Sequence, residues 1–161
     1  MEGDRITNAK EAVKLFLHSL PAKSKFSIIS FGGYVEYLSV GGNTILEHNE
    51  WNVRDALGQV DGFTADIGAT NIELAMQSAL DLDSHRLHKR VILLTDGEIN
   101  RGGGTDVVVA QAKHDDIVVH TLGLSDGADA KLLEETAKAG RGTFSLIGDD
   151  ESGNVLNEKV I

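Results

Sequence analysis

The sequence predicts an α/β fold: a three-layer αβα sandwich around a mostly parallel, doubly wound sheet with one antiparallel edge strand. Short apolar runs alternate with segments of helical periodicity, which is typical of parallel strands joined by crossover helices. The run 91–95 (VILLT) is continuously apolar, as expected of a strand that is covered on both faces. The glycines, 18 in all, cluster between these segments, where they indicate tight loops.

Helices are predicted where apolar residues recur at helical spacing. The first covers residues 4–20, with Asp4 as its N-cap and Pro21 as its end. The same pattern predicts later helices over 51–60, 71–82, 105–114 and 128–139. Because parallel strands need such crossover connections, these helices support a mostly parallel sheet.

Strands are predicted from short apolar runs, which in chain order are 25–31, 35–40, 91–95, 117–122 and 143–147. The glycine pair 32–33 separates the first two, so we expect an antiparallel hairpin with 35–40 as the edge strand. The polar segment 41–50 is expected to be a loop.

Length and composition narrow the function classes. The 161 residues are enough for one domain over 1–161. A formal net charge of −10 disfavours nucleic-acid binding, because an acidic surface repels phosphates. No apolar run reaches the roughly 20 residues of a membrane-spanning helix. The chain has no cysteine, which excludes disulfides, thiolate metal sites and cysteine nucleophiles. No feature of the sequence indicates a cellular compartment.

Two residues lie where an α/β sheet binds ligands, beyond the carboxyl ends of its strands. Asp96 directly follows the strand 91–95, and a carboxylate there is well placed for a hard cation. The alternative role of Asp96 is to cap a turn or the next helix. Thr70 opens the helix 71–82, where an N-cap is the usual role of a threonine.

Several segments, taken in order, resemble a von Willebrand factor type A domain, similar to those of inter-alpha-trypsin inhibitor heavy chains. The matching segments are 4–6 (DRI) leading to 9–12 (AKEA), 26–31 (FSIISF), 68–72 (GATNI) and 92–97 (ILLTDG). The resemblance implies a metal-ion-dependent adhesion site, in which an Asp-x-Ser-x-Ser loop, a threonine and an aspartate hold Mg²⁺ or a similar ion such as Mn²⁺ or Ca²⁺. Thr70 and Asp96 match the last two ligands. The implied function is protein–protein interaction rather than catalysis, with an acidic residue of the partner protein completing the coordination of the ion.

The sequence departs from the family pattern in one respect: it contains no Asp-x-Ser-x-Ser motif. In the family this motif ends the first strand, which is central in the sheet. We therefore expect an N-terminally truncated domain that lacks this strand. Since Mg²⁺ takes about six oxygen ligands, Thr70 and Asp96 alone predict weak or negligible metal binding. The strands 25–31 and 91–95 would present open edges, and self-association through them is expected.

Two other functions remain open at this stage. The chain could be a purely structural module of a larger protein. It also contains the segment 123–127 (GLSDG), which fits the G-x-S-x-G pattern of a serine hydrolase with Ser125 as nucleophile. That enzyme class places its histidine after the serine, whereas the last histidine here is His120. The alternative is a turn in which Ser125 or Asp126 caps the next helix.

Overall fold

The computed structural model describes residues 4–64, 70–83, 87–96 and 116–147. The helices are α1 (Asp4–Ser19), α2 (Glu50–Asp61), α3 (Ile72–Asp81) and α4 (Ala130–Ala139). The strands are β1 (Lys25–Phe26), β2 (Ile29–Phe31), β3 (Val35–Tyr37), β4 (Leu46–Glu47), β5 (Arg90–Thr95), β6 (Val118–Gly123) and β7 (Arg141–Leu146). The helix predicted over 105–114 lies outside the described residues.

The largest sheet of the described chain is parallel and has the order β5-β6-β7. The ends of the strands are in register, with Thr95 opposite Gly123 and Gly123 opposite Leu146. The three strands therefore deliver the residues that follow them to one common edge, here called the carboxyl edge. The predictions of buried strands at 91–95 and 117–122 and of a last strand near 143–147 are confirmed.

The first half of the chain forms two small antiparallel pairs. β2 pairs with β3, with Ile29 opposite Tyr37, which confirms the predicted hairpin. β1 pairs instead with β4, with Phe26 opposite Leu46. The prediction of one strand over 25–31 was therefore wrong, and so was the prediction of a loop throughout 41–50. The chain changes partner between β1 and β2, and two-residue ladders are too short to leave a periodic signal in the sequence.

Helices cover both faces of the parallel sheet, and the alternation of side chains along each strand shows it. On one face, Leu93 and Val119 pack against Met76 of α3 and Leu133 of α4. On the other face, Ala9 and Ala12 of α1 pack against residues of the strands and of the segments that follow them. These residues are Leu94, Leu122, Leu124 and Ile147. The predicted three-layer αβα arrangement is confirmed.

A separate apolar cluster lies under α2. It joins the carboxyl-terminal half of α1 to α2 and the small antiparallel pairs, through Leu17, Phe26, Leu38, Val40, Leu46, Val53, Ala56 and Val60. Lys14 of α1 bridges to Asp61 at the end of α2 with 2.9 Å between Nζ and Oδ1. α1 thus connects the two halves of the fold.

The described strands leave two edges open. β5 pairs with β6 on one side, and within the described chain no strand pairs with its other side. β2 likewise pairs with β3 alone among the described strands. Phe31 of β2 and Val91 of β5 nevertheless pack on the same apolar cluster. The described part of the sheet is thus an incomplete α/β sheet, as the sequence predicts.

Among the helices described, none combines the length and the apolar character that crossing a membrane requires.

Candidate functional site

Asp96 lies at the carboxyl edge, directly after β5, and its position is fixed by hydrogen bonds to the segment after β6. The amide of Leu124 donates to the carbonyl oxygen of Thr95 over 2.9 Å. The hydroxyl of Ser125 donates to the carbonyl oxygen of Asp96, also over 2.9 Å. The side chain of Asp96 is only 10% exposed. The backbone of Asp96 is therefore held in place, and its carboxylate is largely shielded from water.

The charge beside this carboxylate comes from α1. Arg5 Nη1 lies 3.9 Å from Asp96 Oδ2, and the Arg5 side chain is 43% exposed. Arg5 precedes Ala9 and Ala12 by about one and two helical turns, so the three residues share one side of α1. Since Ala9 and Ala12 pack on the cluster that includes Leu122, this side of α1 faces the sheet.

Thr70 lies just before α3, another helix near this edge. Lys89, just before β5, donates from Nζ to the carbonyl oxygen of Leu80 near the end of α3, over 2.6 Å. The carboxyl end of α3 therefore lies beside the start of β5, so α3 runs antiparallel to the strand. Thr70, which precedes α3, is consequently on the same edge of the sheet as Asp96.

Thr70 is not the cap of α3. Asn71 is the N-cap, and its Oδ1 accepts a hydrogen bond from the amide of Leu74 over 3.0 Å. The amide of Asn71 in turn donates to the carbonyl oxygen of Gly32 over 3.2 Å, which ties the start of α3 to the turn after β2. The alternative role of Thr70 as an N-cap was therefore wrong.

Thr70 and Asp96, the two residues predicted as metal ligands, supply few oxygen atoms within the described part of the chain. Thr70 and Asp96 contribute one hydroxyl and one carboxylate to the edge, whereas Mg²⁺ takes about six oxygen ligands. Within the described ranges, no group of three histidine, aspartate or glutamate side chains could hold a metal ion. The cationic group that the structure does place against Asp96 is the guanidinium of Arg5.

Ser125 is buried, with 0% of its surface exposed. Its hydroxyl proton is directed to the carbonyl of Asp96 rather than to a base. The N-cap of α4 is Asp129, whose Oδ1 accepts from the amide of Leu132 over 3.1 Å. The alternative of Ser125 or Asp126 as the helix cap was wrong: Ser125 fastens the end of β5 to the segment after β6.

His120, the last histidine of the sequence, takes part in contacts between β6 and β7. Its Nδ1 accepts from the amide of Thr143 over 3.2 Å and lies 2.9 Å from the hydroxyl of the same residue. Burial lowers the pKa of His120, and the charge of Arg90 lowers it further. The ring is thus a neutral bridge between β6 and β7.

Sequence reasoning identified Asp96 and Thr70 but missed Arg5 and Ser125 as parts of this edge. A signal for Arg5 was its helical spacing to Ala9 and Ala12, which places a cation on the sheet side of an amphipathic helix. A buried serine that donates to a backbone carbonyl has no sequence pattern of its own.

Comparison with known proteins identifies the family. The family model for the von Willebrand factor type A domain matches residues 1–146. A von Willebrand factor A domain-containing protein of Dictyostelium discoideum is 30% identical over 153 residues, which cover 94% of this chain and 7% of that protein. Human inter-alpha-trypsin inhibitor heavy chain H6 is 28% identical over 165 residues, covering 93% of this chain and 12% of that protein. The chain thus spans a small part of these relatives.

Solved structures share the fold. A von Willebrand factor type A protein from Catenulispora acidiphila superposes with a TM-score of 0.82 at 21% identity, over 96% of this chain and 36% of that one. Proximal thread matrix protein 1 of the mussel byssus, with a zinc-occupied MIDAS motif, gives 0.74 at 18% identity over 96% and 39%. The manganese-loaded TRAP protein of Plasmodium vivax gives 0.68 at 19% identity over 96% and 63%. These likenesses confirm the doubly wound α/β fold.

Proposed function

Because this chain belongs to the von Willebrand factor type A family, we propose that it is a protein-interaction module with an incomplete metal-ion-dependent adhesion site. The family mediates protein–protein contacts, and solved relatives hold zinc or manganese. In this chain Thr70 and Asp96 are the two ligands that remain, and divalent metal binding by them is weak or lost. The observation that carries the proposal is what the described residues bring to the carboxyl edge: the predicted ligands Thr70 and Asp96, with the guanidinium of Arg5 against the Asp96 carboxylate.

The proposed ligand is a protein that contacts the carboxyl edge. In the metal-dependent form of the family site, an acidic side chain of that protein would bind the ion. A site with too few oxygen ligands does not hold the ion that such a side chain would bind. Capture of a partner by this chain is accordingly proposed not to depend on Mg²⁺, Mn²⁺ or Ca²⁺. A purely structural module would capture no partner with or without the ion, which separates the two functions.

Calorimetric titration of the chain with Mg²⁺ and Mn²⁺ tests the metal part of the proposal. We expect no binding in the micromolar range, and Asp96→Asn is expected to change the titration as little as Asp126→Asn. Asp126 is an exposed carboxylate in the segment after β6 and controls for the general loss of negative charge. Micromolar affinity that disappears in the Asp96 variant alone would overturn the proposal.

The open edges support a second interaction, self-association. β5 carries apolar side chains on both faces, and among the described strands it pairs on one side. An apolar strand edge that no neighbouring strand covers is a template for a strand of another chain. Sedimentation velocity across a wide concentration range is expected to show dimers or larger species. A monomer at every concentration would rule this interaction out.

A serine-hydrolase activity is not proposed, because the hydroxyl of Ser125 is buried and bonded to a backbone carbonyl.

A further inference from the structure

We infer that Arg5 supplies the positive charge beside Asp96 that a divalent ion would otherwise provide, so that the guanidinium and a metal ion compete for one carboxylate. The inference rests on the proposed incomplete site. It names Arg5 as the residue whose positive charge lies beside the Asp96 carboxylate in that site. It assigns to α1 a function at the carboxyl edge that its packing role does not require.

The first support is the way α1 is held. Ala9 and Ala12 are buried against the segments that follow β6 and β7, through Leu124 and Ile147. Small side chains at these two positions let the helix lie close to the sheet. Arg5 is on the same side of α1, one turn nearer the amino end, and this directs its side chain to Asp96.

The second support is the environment of the carboxylate. Only 10% of the Asp96 side chain is exposed, so water screens its charge poorly. Arginine keeps its charge at every accessible pH, and its planar group donates to a carboxylate from several N–H groups. A guanidinium nitrogen lies 3.9 Å from Oδ2, which places a fixed positive charge beside the Asp96 carboxylate.

The third support is the conflict between the two cations. A metal ion bound to Asp96 would lie close to the guanidinium, and like charges at such a distance repel. The ion could bind only after Arg5 had turned away. Removal of the charge of Arg5 should therefore increase, not decrease, the affinity of Asp96 for a divalent ion.

The test uses the full chain and Mn²⁺ as a paramagnetic probe, with NMR line broadening of the Asp96 amide as the readout. We expect Arg5→Met to reach half-broadening at about fivefold lower Mn²⁺ concentration than the original chain, the factor that corresponds to about 1 kcal/mol. Arg5→Lys retains the charge and should behave as the original chain does. Lys131→Met, an exposed charge removed from α4, is the matched control and should change nothing at this amide.

A double-mutant cycle in EDTA is the second measurement, with urea unfolding of Arg5→Met, Asp96→Asn and the double variant. We expect a coupling of about two- to fivefold in the unfolding constant. Equal Mn²⁺ profiles for Arg5→Met and the original chain, or additive effects in the cycle, would overturn the assignment of Arg5. Tight Mn²⁺ binding to the original chain would instead contradict the proposed incomplete site. This result is distinct from the two that overturn the assignment of Arg5. If Arg5→Met does not fold, Arg5→Gln takes its place in both measurements.

Discussion

Replacement of Ser125 by alanine tests how the carboxyl edge is held together. The hydroxyl is fully buried and donates to the carbonyl oxygen of Asp96 over 2.9 Å. A typical hydrogen bond contributes about 0.5–1.5 kcal/mol to stability, and an acceptor left unsatisfied adds to the loss. We therefore expect Ser125→Ala to lower the free energy of unfolding by about 1–2 kcal/mol. For a chain of this size, that corresponds to a fall of roughly 2–8 °C in Tm.

Urea unfolding followed by circular dichroism measures the change, and Ser39→Ala is the control. Ser39 is exposed and lies outside the parallel sheet, so its loss should change the free energy of unfolding by less than about 0.5 kcal/mol. Two amide signals, those of Asp96 and Leu124, should shift in the Ser125 variant. If Ser125→Ala is as stable as Ser39→Ala, the hydroxyl does not fasten β5 to the segment after β6, and the account of this edge is wrong.

Three further predictions concern single positions in the parallel sheet and in α2. A Cβ at Gly142 would lie 2.0 Å from the carbonyl oxygen of Val119. Gly142→Ala should therefore lower the free energy of unfolding, measured in urea, by about 1–3 kcal/mol. An unchanged urea midpoint would contradict the close approach of the two strands at this position. The matched change Gly58→Ala, in α2 with nothing within 4 Å of the new Cβ, should instead stabilise by about 0.5–1 kcal/mol. Burial lowers the pKa of His120 in the folded chain, so below the ordinary value near 6.5 the unfolded chain binds the proton more readily and stability falls as the pH falls. Between pH 8 and pH 5, the free energy of unfolding should fall less in His120→Gln than in the original chain. Equal falls in the two proteins would refute the role of His120 burial.

The longer elements could be predicted from the sequence because their patterns are local. The run 91–95 is apolar throughout, and a strand buried between helices on both faces needs that composition. α1 follows from its helical periodicity and from Pro21, which cannot continue a helix. The pairing of β1 with β4 could not be predicted, because it joins two-residue segments through contacts that no periodicity records.

The candidate site divides in the same way. Asp96 and Thr70 follow from the order of strand, loop and helix, together with the resemblance to a family. Their neighbours do not. Arg5 reaches Asp96 only because α1 docks on the parallel sheet, and Ser125 reaches the same residue only because β5 and β6 are adjacent.

The sequence by itself determined the longer helices and strands of the described chain, the covering of the parallel sheet on both faces and the end of a strand just before Asp96. Each of these depends on the polarity of neighbouring residues along the chain. The tertiary structure alone decided which cation stands against the Asp96 carboxylate and which hydroxyl holds its backbone. Both are contacts between residues far apart in the chain, and they form only when packed helices and paired strands bring those residues within a few ångströms of each other.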